Sequence, residues 1–279
     1  MYCAQLPLSE CAADMKAINL YHIAYNETTK DSVRPGFHLL DNLSGQRNDW
    51  REYWPIRRFL LNEIMDEESY YGFFSPRFEE KTGLSHASVC AFVKAHQDDY
   101  DVYAFSPQVD MGAFFLNLFE QEELFQPGFS QACSTFFEAI GQPIDLSKLV
   151  MDSRHIIFSN YFIARPAFWR AWLGLNEQLF DFCEGQESLV KYNMTEPTAY
   201  PGGVQRKVFL MERIASLILA TKSEWKCKTF NPFVLAWSAS RLNQFRQEAV
   251  LNDALKMAIR EQGYPEYFAA YAALRDKLR

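Results

Sequence analysis

The sequence predicts an α/β fold on a mixed, mostly parallel sheet with a helical carboxyl-terminal region, and three observations carry that expectation. Short apolar runs rich in aromatic residues alternate with stretches of helical periodicity, the rhythm of β-α-β units. The run Tyr70-Tyr71-Gly72-Phe73-Phe74 stops abruptly at Ser75-Pro76-Arg77, because proline cannot donate to a strand ladder. The run at 102–105 stops the same way, with Phe105-Ser106-Pro107-Gln108 echoing Phe74-Ser75-Pro76-Arg77 over four residues only. Both read as parallel strand ends of one sheet, delivering loops to the carboxyl edge, where open α/β sheets bind their ligands.

Residues 17–25 form the first predicted strand, with Asn26-Glu27-Thr28-Thr29-Lys30 as the polar loop at its carboxyl end. Pro35-Gly36 gives a turn before a short second strand at 37–40. The segment 41–48 consists of residues that bond their own backbone and resist regular structure; Ser44 or Asn48 suits as a cap. From 49 to about 66, Tyr53, Ile56, Leu60, Leu61 and Ile64 recur at helical spacing, with Pro55 at a bend or in the first turn. After the strand that ends near Ser75 come a helix at 85–98, with Val89, Phe92, Val93 and His96 along one side, and the strand 102–105.

Residues 111–141 read as mostly helical, with Phe114, Phe115, Leu118 and Phe119 marking the core face. A strand at 156–164 precedes a helix that starts at Pro166 and carries Phe168, Trp169, Trp172, Leu173 and Leu179. Residues 191–203, rich in Pro, Gly, Thr and Asn, read as a long loop of the kind that serves as a lid or acceptor loop. A helix at 204–221, a short strand within 225–230 and two helices from 240 onward, broken at Gly263-Tyr264-Pro265, complete the chain. The expected division is one α/β domain over 1–235 and a helical extension over 236–279 packed upon it.

Composition narrows the function. The 279 residues can bury a large core, and 48% hydrophobic with 23% charged residues is the balance of a soluble globular protein. No apolar run approaches the roughly 18 residues of a membrane span, and residues 1–13 lack the regions of a secretory signal, so a cytosolic location is expected. A net charge of -7 with no Lys/Arg cluster argues against general nucleic-acid affinity. Cys3, Cys11, Cys90, Cys133, Cys183 and Cys227 are scattered without a CxxC pair and read as reduced thiols. An aromatic content of 16% suits a packed core with a stacking surface for a planar or sugar ligand. In the carboxyl-terminal helices Arg241, Arg246, Lys256, Arg260, Arg275, Lys277 and Arg279 read either as a solvated face or as contact with an anionic membrane.

Missing motifs disfavour several chemistries. The five histidines form no HxxxH or HxH group, and there is no GxSxG elbow, GxxxxGK[ST] loop or GxGxxG fingerprint. Asp99-Tyr100-Asp101 is a literal Asp-x-Asp, but it precedes its strand and falls at the amino end. Asp110 lies just beyond the strand 102–105, where a single carboxylate can contact a metal, a ribose or a sugar hydroxyl, or can cap the helix that follows. Asp41, Asn42, Ser44, Arg47, Asn48 and Glu52 form the densest polar cluster. Such a set can bond a base, ribose or sugar, with Arg47 on a phosphate, or form a capped surface loop. Glu212-Arg213 lies inside an apolar helix, as an ion-paired edge or as a site.

Ordered segments from about residue 18 to 220 resemble the glycosyltransferase-like family of bacterial capsular and surface polysaccharide loci, long described as a domain of unknown function. Asp41-Asn42-Leu43-Ser44 through Asn48, with Glu52 to Trp54, is similar to its Asp-x-x-Gly-x-Asn-Ile-Ser-x-x-Asn block and Glu-Leu-Thr helix. Gly72-Phe73-Phe74-Ser75-Pro76-Arg77-Phe78 resembles its Gly-Leu-x-His-Tyr-Arg-Arg-Tyr-Phe motif. Tyr100-Asp101-Val102, the segment from Ser159 to Ala164, and Phe209-Leu210-Met211-Glu212-Arg213 resemble its Tyr-Asp-Ile, Asn-Met-Phe-Ile-Met and Phe-x-x-Glu-Arg segments.

The resemblance implies a GT-A-like sandwich that binds a nucleotide-sugar donor at the carboxyl edge and transfers the sugar to a glycan or lipid-linked acceptor; peripheral contact at the inner membrane is the alternative reading of the basic carboxyl-terminal helices. It implies a donor site drawn from Asn26, Asp41, Asn42, Ser44, Arg47, Asn48, Ser75, Arg77, Asn160 and Arg213, with Arg47 and Arg77 on the diphosphate. Asp110 or Glu212 would be the base, and Asp110 would contact Mg2+ or Mn2+. Ser75 and Pro76 stand where that family has His and Tyr, and its second Arg is missing. Those departures motivate the alternative of a non-catalytic nucleotide- or sugar-binding protein within a polysaccharide assembly complex.

Overall fold

A computed structural model describes residues 16–97 and 99–276; the readings made for residues 1–13, Cys3, Cys11, Asp98, Lys277 and Arg279 lie outside the described residues. Six strands, β1 (Ile18–Ala24), β2 (His38–Asp41), β3 (Tyr70–Phe74), β4 (Val102–Ala104), β5 (Phe162–Ala164) and β6 (Cys227–Thr229), form one sheet in the order β2-β1-β3-β5-β4-β6. The pairs β1–β2, β1–β3 and β4–β6 are parallel, while β5 runs antiparallel between β3 and β4. The fold is therefore α/β on a mixed, mostly parallel sheet. One edge collects the carboxyl ends of five strands and the amino end of β5.

Why β3 is central follows from its two faces. Side chains alternate along a strand, and every residue of β3 is buried. Tyr71 and Phe73 enter the larger core with the helices Pro166–Glu184 and Arg206–Thr221. Tyr70 and Phe74 enter the smaller one with Phe78, Val89 and Val93 of the helices Phe78–Thr82 and His86–Lys94. Gly72 lets the sheet close, since a Cβ there would lie 2.8 Å from Ile163 Cγ1 and 3.2 Å from Leu20 Cδ2. Trp169 anchors the larger core to the strand: its indole donates to the Tyr71 carbonyl at 2.9 Å and its ring stacks on Phe162 with centroids 4.4 Å apart. Truncating such a tryptophan to alanine costs about 3–5 kcal/mol.

Several expected elements differ. Residues 26–30 are not a loop: Asn26 and Thr29 close a capping box on the short helix Glu27–Asp31. Only Phe162–Ala164 of the expected strand 156–164 pairs, because Ser159 and Asn160 take left-handed φ values of 58° and 52°. The first half of the expected loop 191–203 is the helix Leu189–Thr195, capped by Ser188. The remainder is pinched by a bridge between Pro197 and Gln205 and turns through Gly202 and Gly203, both at positive φ. The helix Phe78–Thr82 was not legible; it follows from the Pro76 turn, in which the Phe78 amide donates to the Ser75 carbonyl.

The helices Arg246–Gln262 and Pro265–Asp276 lie where expected, but their basic residues do not form one outward face. Lys256 is wholly buried and donates to the carbonyls of Gly112 and Phe115 at 2.8 and 2.9 Å, Arg260 donates to the Val150 carbonyl, and Arg275 pairs with Glu120. Among the described residues, no helix is long and apolar enough to cross a membrane, and Cys90, Cys133, Cys183 and Cys227 are free thiols.

Candidate active site

The carboxyl edge over β1, β3 and β5 gathers a dense set of polar side chains. β3 ends at Phe74, so Ser75 leaves the ladder opposite the start of β5, and its hydroxyl bonds the Tyr161 hydroxyl at 2.7 Å. The left-handed pair Ser159 and Asn160 turns the chain so that both side chains stay at this edge. Ser159 Oγ accepts from Lys81 Nζ at 3.0 Å, and the Lys81 ammonium lies 5.6 Å from the Tyr161 ring centroid. Two adjacent non-glycine residues at positive φ are uncommon and costly, and such strain clusters at functional sites.

Two carboxylates complete the floor. Glu52 stands at the entry of the helix Tyr53–Asn62, and Glu212 projects from the helix Arg206–Thr221. Burial raises the Glu52 carboxyl, Glu212 raises it further, and Lys81, Asn160 and Ser75 pull it back, leaving it up at about 8. Burial also raises Glu212, against the pull of Arg213 and Lys81. Tyr25, just past β1, is held well above its ordinary value by burial and by the same two carboxylates. Near neutral pH Glu52 is thus a proton-bearing acid beside a second carboxyl group, the arrangement that separates an acid role from a base role.

The site is not internally satisfied. Glu52 Oε2 and Asn160 Oδ1 are buried without hydrogen-bond partners, and so are both amide atoms of Asn42, which follows β2 and is 1% exposed. Buried polar atoms are nearly always paired, so a group of orphans at a ligand edge marks where a ligand's polar atoms fit. The 198–203 turn lies over this floor. A Cβ on Gly202 would sit 3.4 Å from Arg51 Nη2, and Tyr200 stands close enough to Arg77 to add to the effect of Glu80 on its guanidinium.

The expected site residues fall into two groups. Ser75, Asn160 and Glu212 meet around Glu52 at this edge, Asn42 follows β2 beside the end of β1, and Arg77 borders the edge, exposed and ion-paired with Glu80 at 2.7 Å. Asn26, Asp41, Ser44 and Asn48 are exposed around the rim, where Asn26 caps a helix and Asp41 accepts from the Leu43 amide at 2.8 Å. Arg47 is engaged elsewhere: its guanidinium pairs with Asp49 at 3.1 Å and with Glu184. Lys207 adds a 2.6 Å bond to Asp49, whose carboxyl, against the opposing effect of partial desolvation, is driven down to about 2 by Arg47 and Lys207.

Two expectations are corrected. Arg213 does not face a ligand; it is 4% exposed and ties two helices together by donating to the carbonyls of Leu118 and Phe209 at 3.0 and 2.8 Å and by pairing with Glu122. Asp110 is fully buried, and its carboxylate accepts from the Ser238 amide at 3.0 Å and from the Ser238 hydroxyl. It joins the main body to the segment before the carboxyl-terminal helices and does not fit the role of base or of Mg2+ or Mn2+ ligand. Among the described residues no three His, Cys, Asp or Glu side chains gather as a metal site.

Lys81, Arg51 and Tyr161 were not singled out as candidates in the sequence, whereas Glu52 was, as the last member of the polar cluster that begins at Asp41. Lys81 lies one helical turn after Arg77, so only recognition of the Phe78–Thr82 helix would have pointed to it.

No protein-family model matches the chain, and no curated protein sequence matches it. Among solved structures, the apo structure of the bifunctional glycosyltransferase WbbM is similar to it, with 12% identity, a TM-score of 0.42, and coverage of 81% of this chain and 46% of that one. The chain thus spans about half the length of that protein.

Proposed function

We propose that the protein is a glycosyltransferase that takes a sugar from a nucleotide-sugar donor and passes it to a glycan or lipid-linked acceptor in surface polysaccharide assembly. The observation that carries this reading is the pair Glu52 and Glu212 at the carboxyl edge of the sheet, beside Asn160, whose Oδ1 is buried without a partner, with the unpaired Asn42 amide just past β2. Glu212 takes the proton of the acceptor hydroxyl as that oxygen attacks the anomeric carbon. Glu52, protonated below about pH 8, donates a hydrogen bond to a donor-sugar hydroxyl. Arg77, Arg51 and Lys81 stabilise the nucleoside diphosphate as charge develops on the leaving oxygen. Asn42 and Asn160 hold the ribose and sugar hydroxyls, which relieves their unpaired atoms.

The test is calorimetric titration with a panel of nucleotide-sugars, with and without Mg2+ or Mn2+, followed by hydrolysis and transfer assays. One donor class is expected to bind, and Glu212→Gln is expected to keep binding while losing turnover. Absence of binding by every donor overturns the site. A second reading, a binding protein without turnover, is favoured by one observation: Arg47 and Arg213 are both consumed by structural ion pairs. Binding with no turnover under any metal condition selects it. Contact with an anionic membrane rests on Arg241 and Arg246, which are exposed; liposome flotation without salt-sensitive binding removes that part.

A further inference from the structure

Across the Ser75-Pro76 loop from the two carboxylates lies a separate cavity of about 270 Å³. His22, Phe37, Phe74, Pro76 and Phe78 line it, and Ser32, Arg34, Glu79 and Glu80 stand around its mouth. Its floor is unusual. His22 of β1 is 6% exposed, and neither ring nitrogen has a hydrogen-bond partner, although the carbonyls of Pro76 and Ser75 lie close to the ring. The walls are aromatic and rigid: Phe74 and Phe78 stack with centroids 4.1 Å apart, and Phe37 meets Phe74 edge-on at 6.2 Å. At the mouth, Arg34 and Glu79 pair at 3.0 Å, so the entrance carries no strong net charge of its own.

We propose that this cavity binds a single planar heteroaromatic ring of nucleobase type, hydrogen-bonded to the His22 imidazole. The size sets the class, because pockets for drug-sized molecules run from about 300 to 1,000 Å³ and this one falls just below that range. It holds a ring or fused ring pair and excludes a whole nucleotide-sugar. The chemistry sets the rest. Burial keeps the imidazole neutral, so one nitrogen donates and the other accepts. A heteroaromatic ring offers polar atoms to that imidazole and apolar faces or edges to the three phenylalanines. A sugar ring would press several hydroxyls against phenyl walls that cannot bond them. The site goes beyond the transfer reaction proposed above and does not depend on it. It shares only the Ser75-Pro76 turn with the carboxylate floor, so its occupant would press directly on that loop.

The experiment uses the full chain with histidine labelled at the ring carbon. The sequence contains five histidines, His22, His38, His86, His96 and His155. Uridine, cytidine and adenosine are titrated in parallel with free monosaccharides, and the His22 resonance is assigned with His22→Phe. The expected result is a saturable shift of the His22 signal with at least one nucleoside, no shift of His155, and an unchanged response in Glu52→Gln. In His22→Phe, which lacks that resonance, nucleoside affinity is read by calorimetric titration and is expected to weaken by about five- to tenfold, as loss of a buried hydrogen bond does. Should that variant not fold, Ser32→Trp, at the exposed rim, is expected to block entry and abolish the shift. A His22 shift produced by monosaccharides alone, or no saturable shift with any nucleoside, overturns the proposal. Loss of the shift in Glu52→Gln would instead place the bound ring at the carboxylate floor and overturn it equally.

Discussion

Two clusters of buried charge sit at different places on the same sheet, and they are partnered in opposite ways. Beside β6, Asp152 is fully buried yet accepts from Nε and Nη2 along one edge of the Arg154 guanidinium at 3.0 and 2.8 Å, from the Arg154 amide at 2.9 Å and bonds the His155 ring at 3.0 Å. Asp253 accepts from the Ser153 amide and hydroxyl at 2.7 and 2.6 Å, and Lys256 is bonded to two carbonyls. Over β1, β3 and β5, by contrast, Glu52 and Asn160 each keep an unpaired buried oxygen. The first cluster spends its hydrogen-bonding capacity on holding the carboxyl-terminal helix Arg246–Gln262 to the body. The second leaves capacity open, which is what a ligand needs. Burial of charge therefore does not by itself mark a site, nor does an unpaired amide such as Asn252, whereas buried charge with unmet bonds at a strand edge makes a candidate one.

The comparison can be broken most decisively at Glu212. Replacing it with Gln keeps its shape and removes the proposed base, so turnover should fall about 10²- to 10⁴-fold with donor affinity preserved, read by transfer kinetics alongside calorimetry. An unchanged rate would make the carboxylate pair a structural feature like its counterpart.

Asp152→Ala probes the other cluster. Removing the buried carboxylate leaves the Arg154 amide and the His155 ring short of an acceptor, while the partly exposed Arg154 guanidinium keeps Glu261, and stability should fall by about 1–3 kcal/mol in urea unfolding. A loss below about 1 kcal/mol would show that the cluster is not what holds the carboxyl-terminal helix.

Acidity sharpens the contrast at one residue of each region, because Glu52 and Lys256 respond to pH in opposite senses. Folding raises Glu52 from 4.5 to about 8, so between those values unfolding releases its proton and stability declines as pH rises. Folding lowers Lys256 from 10.5 to about 8, so between those values unfolding takes up a proton and stability increases as pH rises. Glu52→Gln should flatten the first trend and exceed the parent at pH 8 by about 1–3 kcal/mol in denaturant titrations. An equal slope in the two proteins would mean that Glu52 ionises freely.

The smallest effect is expected at Arg77, whose pair with Glu80 is largely exposed on both sides. Arg77→Ala should change stability by less than about 1 kcal/mol while weakening donor binding, because exposed pairs contribute little to folding. A larger thermal destabilisation would assign Arg77 to the scaffold.

Much of the scaffold was legible from local chemistry. Alternating aromatics and Pro76 marked β3 and its end, Pro166 marked the start of the long helix, and Gly263-Tyr264-Pro265 marked the break between the last two helices. The site was legible in part. Ser75 and Asn160 were placed by strand ends and by resemblance, and Glu212 by resemblance together with its odd position in an apolar helix. Asp110 misled because a carboxylate just past a strand looks alike in sequence whether it faces a ligand or, as here, accepts from Ser238.

What the sequence by itself determined is the order of elements and the loops that reach the carboxyl edge, since periodicity, proline and glycine act over a few residues. Only the tertiary structure decided which polar groups remain unpaired. Glu52, Lys81, Asn160 and Glu212 come from four separate segments, and Arg47, Arg213 and Asp110 found their partners equally far along the chain. Hydrogen-bond satisfaction depends on contacts between distant segments, and no local pattern encodes it.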